Sequence, residues 1–257
     1  MPLDALKERL GDYARDIRLN IPRTLSKIDS QSAMNAVSAG LLEDDRSVRF
    51  QSILALEEMA RRFPNLRVDR EIIESAIVSD AMLYAQRFAI FFVLFAAVEQ
   101  SPVGRASLLR QALVESMERV RERIIWLLTL IYPSKDIRGI WIALHSADSA
   151  KKAYAIELLD NLLTGDVKRY IFPFYGDTLE PERFRLSLEF LGWASLNTTS
   201  AFRMLFEQED IWLTAASVWE IGIRGLTGFD EMIAKFLHSK NEVLRETAEL
   251  AMQRMQS

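Results

Sequence analysis

Across its 257 residues the chain is 49% hydrophobic and 26% charged, with a formal net charge of −4 and no cysteine. That is ordinary globular composition, sized for one large domain, two small ones or a repeat array. It excludes disulfides, thiol nucleophiles and cysteine-built zinc sites, points to a reducing compartment, and argues against nucleic acid as the main partner.

The N-terminal stretch "MPLDALKERLGDYARDIRL" carries charge throughout and lacks the apolar core of a signal peptide. A partial helical frame starts at Ala14, with Ile17, Arg18, Ile21, Leu25 and Ile28 at offsets 3, 4, 7, 11 and 14. A full one follows in "DDRSVRFQSILALEEM": Asp45 at zero, Val48 at 3, Arg49 at 4, Ser52 at 7, Ala55 and Leu56 at 10 and 11, Met59 at 14. Those offsets place apolar or small groups on one helical stripe. Taken alone, Asp44, Asp45 and Arg49 could be a metal loop, a phosphate-facing arginine or a catalytic acid. Recurrence decides for a structural role. Copies start at Asp80, Met117, Asp148, Pro181, Asp210 and Asn241, so the steps along the chain are 31, 35, 37, 31, 33, 29 and 31. An enzyme core has no reason to space its helices so evenly, whereas a stack of helical hairpins does.

Position zero is Asp, Asn or Pro in six of the eight frames, residue types that start helices by accepting or dispensing with a first-turn amide hydrogen. Stretches such as "QSAMNAVSAGLL", "VGRASLLRQALVES" and "IRGIWIALHS" supply a first helix for each hairpin. Gly40, Pro64, Pro102, Pro133, Gly165, Pro173, Gly176 and Gly228 punctuate the joins. The run Phe88 to Val98 is too short to cross a membrane and reads as a helix buried on all sides. With no strand alternation, the expected fold is all-α: one domain over 1–257, about eight hairpins, the first partial, with 1–30 as an N-terminal cap.

Position four is basic in six frames: Arg18, Arg49, Arg121, Lys152, Arg185 and Arg245. A cation in the first turn opposes the helix dipole at about 0.3–1 kcal/mol. An offsetting ladder is expected, in which the cation of one repeat meets the cap carboxylate of its neighbour, Asp45, Asp148 or Asp210.

Other motifs read as structure. His145 and His238 occupy matching Leu-His-Ser triplets before the frames at Asp148 and Asn241, and equivalent loops on separate hairpins do not share a metal. "GIRGLTG" (222–228) lacks the lysine and preceding strand of a phosphate loop and reads as a hairpin connection. Basic clusters at 60–71 and 120–123 are interleaved with acids, as solvated faces and inter-repeat pairs are. No catalytic, cofactor-binding or metal-binding residue is expected. Most of Trp126, Trp141, Trp193, Trp212 and Trp219 should be core. Trp212, together with Tyr170, Phe172, Phe174 and Tyr175 of "YIFPFYGD", forms the candidate exposed interaction surface.

An Asp start, Val-Arg in the first turn and Ala-Leu further along, as in "DDRSVRFQSILALEEM" and "NEVLRETAELAM", resembles the second helix of a HEAT repeat. That resemblance implies a right-handed, HEAT/armadillo-like α-solenoid. Over about residues 15–257, "RLNIPRTLSKI", "RERIIWLLTLIYPSKDIRGIWIALHS", "AIELLDNLL" and "LRETAELAM" are similar to a bacterial HEAT region. That region lies in large membrane proteins whose N-terminal part resembles nucleotide (ATP/ADP) transporters of the major-facilitator type and which often carry a cyclic-nucleotide-binding-like domain. The resemblance implies a cytoplasmic, transporter-associated accessory module, a non-enzymatic scaffold for protein partners that include those flanking domains. Membrane contact would then be indirect, through a fused or docked domain. Transport and nucleotide binding carry over to no residue here. The competing readings are a nucleic-acid-binding HEAT-like protein of the DNA glycosylase type, opposed by the net charge, and a HEAT-like bilin lyase.

Overall fold

The computed structural model describes residues 14–43, 45–96, 107–175, 178–207 and 210–255. Asp44, Pro102, Gly176 and the first thirteen residues of the proposed 1–30 cap therefore lie outside the described residues. The fold is all-α: thirteen α-helices and two short 3₁₀ turns, with no strand among the described residues. The chain divides into two compact units, Met1–Leu83 with Val120–Thr178, and Tyr84–Arg119 with Leu179–Ser257.

In the first unit, α1 (Arg15–Leu25) and α2 (Gln31–Ala39) lie along α3 (Arg46–Arg62). Asp45 starts α3 by accepting from the amides of Ser47 and Val48, at 2.9 and 3.4 Å. The stripe read from the frame is the buried one, since Val48, Ser52, Leu56 and Met59 are inaccessible, as are Leu25, Met34 and Val37 on the two helices packed against α3. Two long helices follow, α4 (Arg70–Phe95) and α5 (Leu108–Leu128), each divided between the two units. The unit ends with the hairpin α6 (Ser134–Leu144) and α7 (Ser149–Leu162), then α8 (Gly165–Tyr175). Asp148 caps α7 through the amides of Ala150 and Lys151.

The second unit adds α9 (Glu180–Leu191), α10 (Thr198–Phe206), α11 (Ile211–Arg224), α12 (Asp230–Ala234) and α13 (Glu242–Met255). Asn197, Asp210 and Asn241 cap α10, α11 and α13. Helix α11 is central and packs against both α10 and α13. Gly222 makes that approach possible, because a Cβ there would stand 2.8 Å from the Ala251 Cα. Ring contacts knit the other side of the unit: Phe88, Phe91, Phe92 and Phe95 follow one another along α4, and Phe184 of α9 stacks on Phe92 at 4.6 Å.

Four expectations need correction. Asp80 and Met117 do not start helices; they lie inside α4 and α5, so those two frames are single long helices rather than hairpins. No glycine or proline interrupts 70–95 or 108–128, so nothing ends the helix before either residue. Pro173 lies inside α8 rather than at a join. The frame set at Pro181 is one residue late: small, fully buried residues at offset 7 (Ser52, Ala155, Ser217, Ala248) match Ser187, which moves zero to Glu180. Finally, Trp126, Trp141, Trp193 and Trp219 are half-buried rather than core. Charged or aromatic neighbours lie against three of them: Arg138 over Trp126, His145 on Trp141, Arg254 over Trp219.

Among the described helices α4 alone is long and apolar enough to cross a membrane. Within the protein 61% of its most apolar stretch is buried, and Asp80 and Arg87 interrupt it as buried charges.

Candidate interaction surfaces

The predicted ladder resolves into several different contacts. Arg18 of α1 does meet the cap carboxylate of α3, with Nη2 3.6 Å from Asp45 Oδ2. Arg49 and Arg245 instead turn back to the loop before their own helix. Arg49 Nη1 donates to the Glu43 carbonyl, and Arg245 Nη1 donates to the Ser239 carbonyl at 3.1 Å. Both acceptors stand two residues before the cap, Asp45 or Asn241, so the same device recurs in two frames. It offsets the unfavourable dipole term with a charge-assisted hydrogen bond to a loop carbonyl. Arg121 lies over the Tyr175 ring at 4.8 Å.

Lys152 is exposed on the first turn of α7, and Asp148 and Asp210 serve as caps. Arg185 is exposed and chelates Glu182 and Glu189 of its own helix, at 2.7 and 3.1 Å. The one-residue slip explains this: Arg185 sits at offset five, on the outer face. The hydrogen bond from Arg185 is the largest influence holding the Glu182 carboxyl below its ordinary range.

Inter-helix ion pairs do occur, mainly between residues outside the ladder. Arg123 of α5 grips Asp80 of α4 in two-pronged fashion, Nε to Oδ2 at 2.9 Å and Nη2 to Oδ1 at 2.5 Å, with both residues buried. Arg138 pairs with Glu57, and Lys168 with Asp160 at 2.9 Å. In the second unit the Ser107 hydroxyl donates to the buried Glu220 carboxylate at 2.7 Å and accepts the Arg110 amide of α5. Arg110 and Arg183 lie over Phe91 and Phe88. These groups are committed to holding helices together.

The aromatic candidates separate sharply. Phe174 and Tyr175 are buried, 3% and 4% exposed, and so belong to the core rather than to a docking face. The Tyr175 hydroxyl donates to the Arg121 carbonyl at 2.7 Å. Tyr170 and Phe172 are half-buried beside Arg169 and Lys168. Trp212, in contrast, is 72% exposed at the start of α11. Its neighbour Ile211 and Val243 at the start of α13 are each 44% exposed. Helix α12 and the 3₁₀ turn Lys235–His238 return the chain between α11 and α13, so both helices start at the same end of the unit.

Neither a family model nor a curated protein matches the chain. Similar solved structures include an engineered protein from a structural genomics consortium, 14% identical, covering 99% of this chain and 98% of its own, with a TM-score of 0.24. A designed armadillo repeat protein is 12% identical, covering 99% and 100%, with a TM-score of 0.22. Superpositions at these scores carry no inference about this chain, whose all-α class rests on its own helices.

The histidines take end positions. His145 caps α6 with Nδ1 2.9 Å from the Trp141 carbonyl, and His238 closes the 3₁₀ turn. Among the described residues no group of three or more His, Asp or Glu side chains is placed to hold a metal ion. In 222–228, Gly225 takes the left-handed conformation that ends α11 and Gly228 a positive φ in the loop. Gly222 is a helix-contact residue, which the sequence reading missed. Its signal was available: a glycine spaced three residues from the glycine that ends the helix.

Proposed function

We propose that the chain is a non-enzymatic helical-repeat scaffold that binds a protein partner through the Trp212 end of its second unit. The observation that carries this reading is the 72% exposure of a tryptophan at an end of the unit where Ile211 and Val243 are exposed as well. Tryptophan is among the residue types enriched at the anchor points of protein interfaces, and Trp212 shares its end of the unit with other exposed apolar groups rather than standing singly. The polar network around Glu220 and the ion pairs of the first unit are committed to joining helices, which fits a scaffold better than a catalyst.

A peptide-display selection against the whole chain, repeated with Trp212→Ala, tests the reading. Enriched peptides should bind the variant at least about tenfold more weakly, the loss expected of an anchor residue worth over 1 kcal/mol. Equal binding to a variant with an unchanged far-UV spectrum, or no enrichment at all, refutes it.

In its finer form the proposal places the scaffold in the cytoplasm as an accessory module of a nucleotide-transporter-like membrane protein. Its support is the sequence resemblance around Tyr132, Pro133, Asp136, Ile137 and Arg138 and in Glu157–Leu163. Binding to isolated transporter-like or cyclic-nucleotide-binding-like domains is the measurement; failure with both removes the finer form and leaves the scaffold reading standing.

A further inference from the structure

The first unit carries a second surface, with a shape and charge of its own. The inward face of α4 buries Ile73, Ala76, Ile77 and Asp80. Its outward face presents Glu71, Glu74, Ser75, Val78, Ser79 and Met82, spaced as one helical stripe over three turns, about 16 Å long. The start of α8 stands beside that stripe with Asp166 and Val167, and the two walls enclose an open groove of about 550 Å³. Its apolar part is Val78, half-buried, Val167, 2% exposed, and Met82, 37% exposed. Three carboxylates line it: Glu71, Glu74 and Asp166. Arg70 engages Glu74 at 2.7 Å, and Lys168, the next cation along α8, is held by Asp160.

We infer that this groove docks a cationic amphipathic helix. Its apolar stripe would lie over Val78 and Met82 and its Lys or Arg side chains against Glu71 and Asp166. A helix is the matching shape, because α4 offers a ridge-and-groove surface and no free strand edge that an extended peptide could extend. A methionine on the wall suits such an occupant, since its unbranched side chain adapts to differing apolar partners. The charge disfavours the other classes of macromolecule: nucleic-acid phosphates and anionic lipid headgroups are repelled by Glu71 and Asp166, while Glu74 is already paired with Arg70. The groove belongs to the first unit and Trp212 to the second, so different substitutions test the two proposals.

The test is fluorescence anisotropy of labelled peptides titrated with the full chain at physiological salt. The probes are a Leu/Lys amphipathic helix, its Leu/Glu charge reversal, and a Leu/Lys scramble whose leucines ring the helix. The Leu/Lys helix should bind, and the other two at least about tenfold more weakly. Glu71→Lys should weaken binding about three- to tenfold, as expected for replacing an exposed attraction by a repulsion. Glu246→Lys, which changes net charge equally on α13, should leave it unchanged. Met82→Gln, neutral in charge, should also weaken binding. Equal binding of the scramble or the charge reversal, equal effects of Glu71→Lys and Glu246→Lys, or indifference to Met82→Gln overturns the inference. So does self-association in sedimentation that Met82→Gln abolishes, which would assign the groove to a second copy of the chain.

Discussion

Removing Asp80 alone should destabilise the protein far more than removing Asp80 and Arg123 together. Asp80 sits in mid-helix and Arg123 on a neighbouring helix, 5% and 7% exposed, joined by two charge-assisted hydrogen bonds of 2.9 and 2.5 Å. Asp80→Ala leaves a buried guanidinium without its counter-charge. Breaking one side of such a pair costs about 3–5 kcal/mol, whereas exchanging both partners for apolar residues of similar volume is often neutral or stabilising. A folded domain is stable by only about 5–15 kcal/mol, so the single variant should lose roughly a fifth or more of its stability. Asp80→Leu with Arg123→Met should lie within about 1 kcal/mol of the parent or above it. Urea denaturation followed by both circular dichroism and tryptophan fluorescence is the assay. Two probes are needed because two compact units can unfold separately, and only coincident transitions license a single free energy. A single variant costing under about 1 kcal/mol, or a double variant no better than the single, would refute the argument.

Gly222→Ala should cost about 1–3 kcal/mol in thermal or chemical unfolding despite alanine's better helix propensity, because the added Cβ would stand 2.8 Å from the Ala251 Cα. Gly40→Ala should be destabilising for a similar reason, its Cβ falling 2.2 Å from Ser52 Oγ. In a Ser52→Ala background the penalty should shrink, and a double-mutant cycle showing no coupling would contradict this. Tyr175→Phe removes the 2.7 Å hydrogen bond to the Arg121 carbonyl and should cost about 0.5–1.5 kcal/mol while the packing of Arg121 on the ring persists. Glu182 has a lowered folded pKa, so its contribution is present above the ordinary carboxylate range and lost as pH falls through the folded value. In Arg185→Gln its NMR titration midpoint should move up towards the ordinary glutamate range, and high salt should shrink the difference.

What the sequence disclosed depended on how local the determinant was. Asp45, Asp148, Asp210 and Asn241 were readable as helix starts because a cap acts within three residues of itself, and each does cap a helix. The all-α class followed from the same local periodicity. Asp80 misled for an instructive reason: an aspartate in a helix-like run marks a start only if the helix is not already under way. The partner that makes it tolerable inside α4, Arg123, stands 43 residues further along the chain.

The cations at position four show the same division. Their dipole penalty was visible in the letters, and so was the need for an acceptor, but the letters could not rank a neighbour's carboxylate against a backbone carbonyl. Arg18 reaches Asp45, whereas Arg49 and Arg245 bend to carbonyls six residues back in their own chain, Glu43 and Ser239. A main-chain acceptor leaves no trace in residue type, so a pattern search for acid–base pairs cannot see it. Aromatic exposure is lost in the same way. Trp212 and Tyr175 are both aromatic residues near the end of a helix, yet one faces solvent and the other closes over Arg121. The outcome turns on which face of the helix each residue occupies and on what the neighbouring helix brings to it. Packing within the chain leaves Trp212 uncovered, which is why the proposed partner contact is placed there.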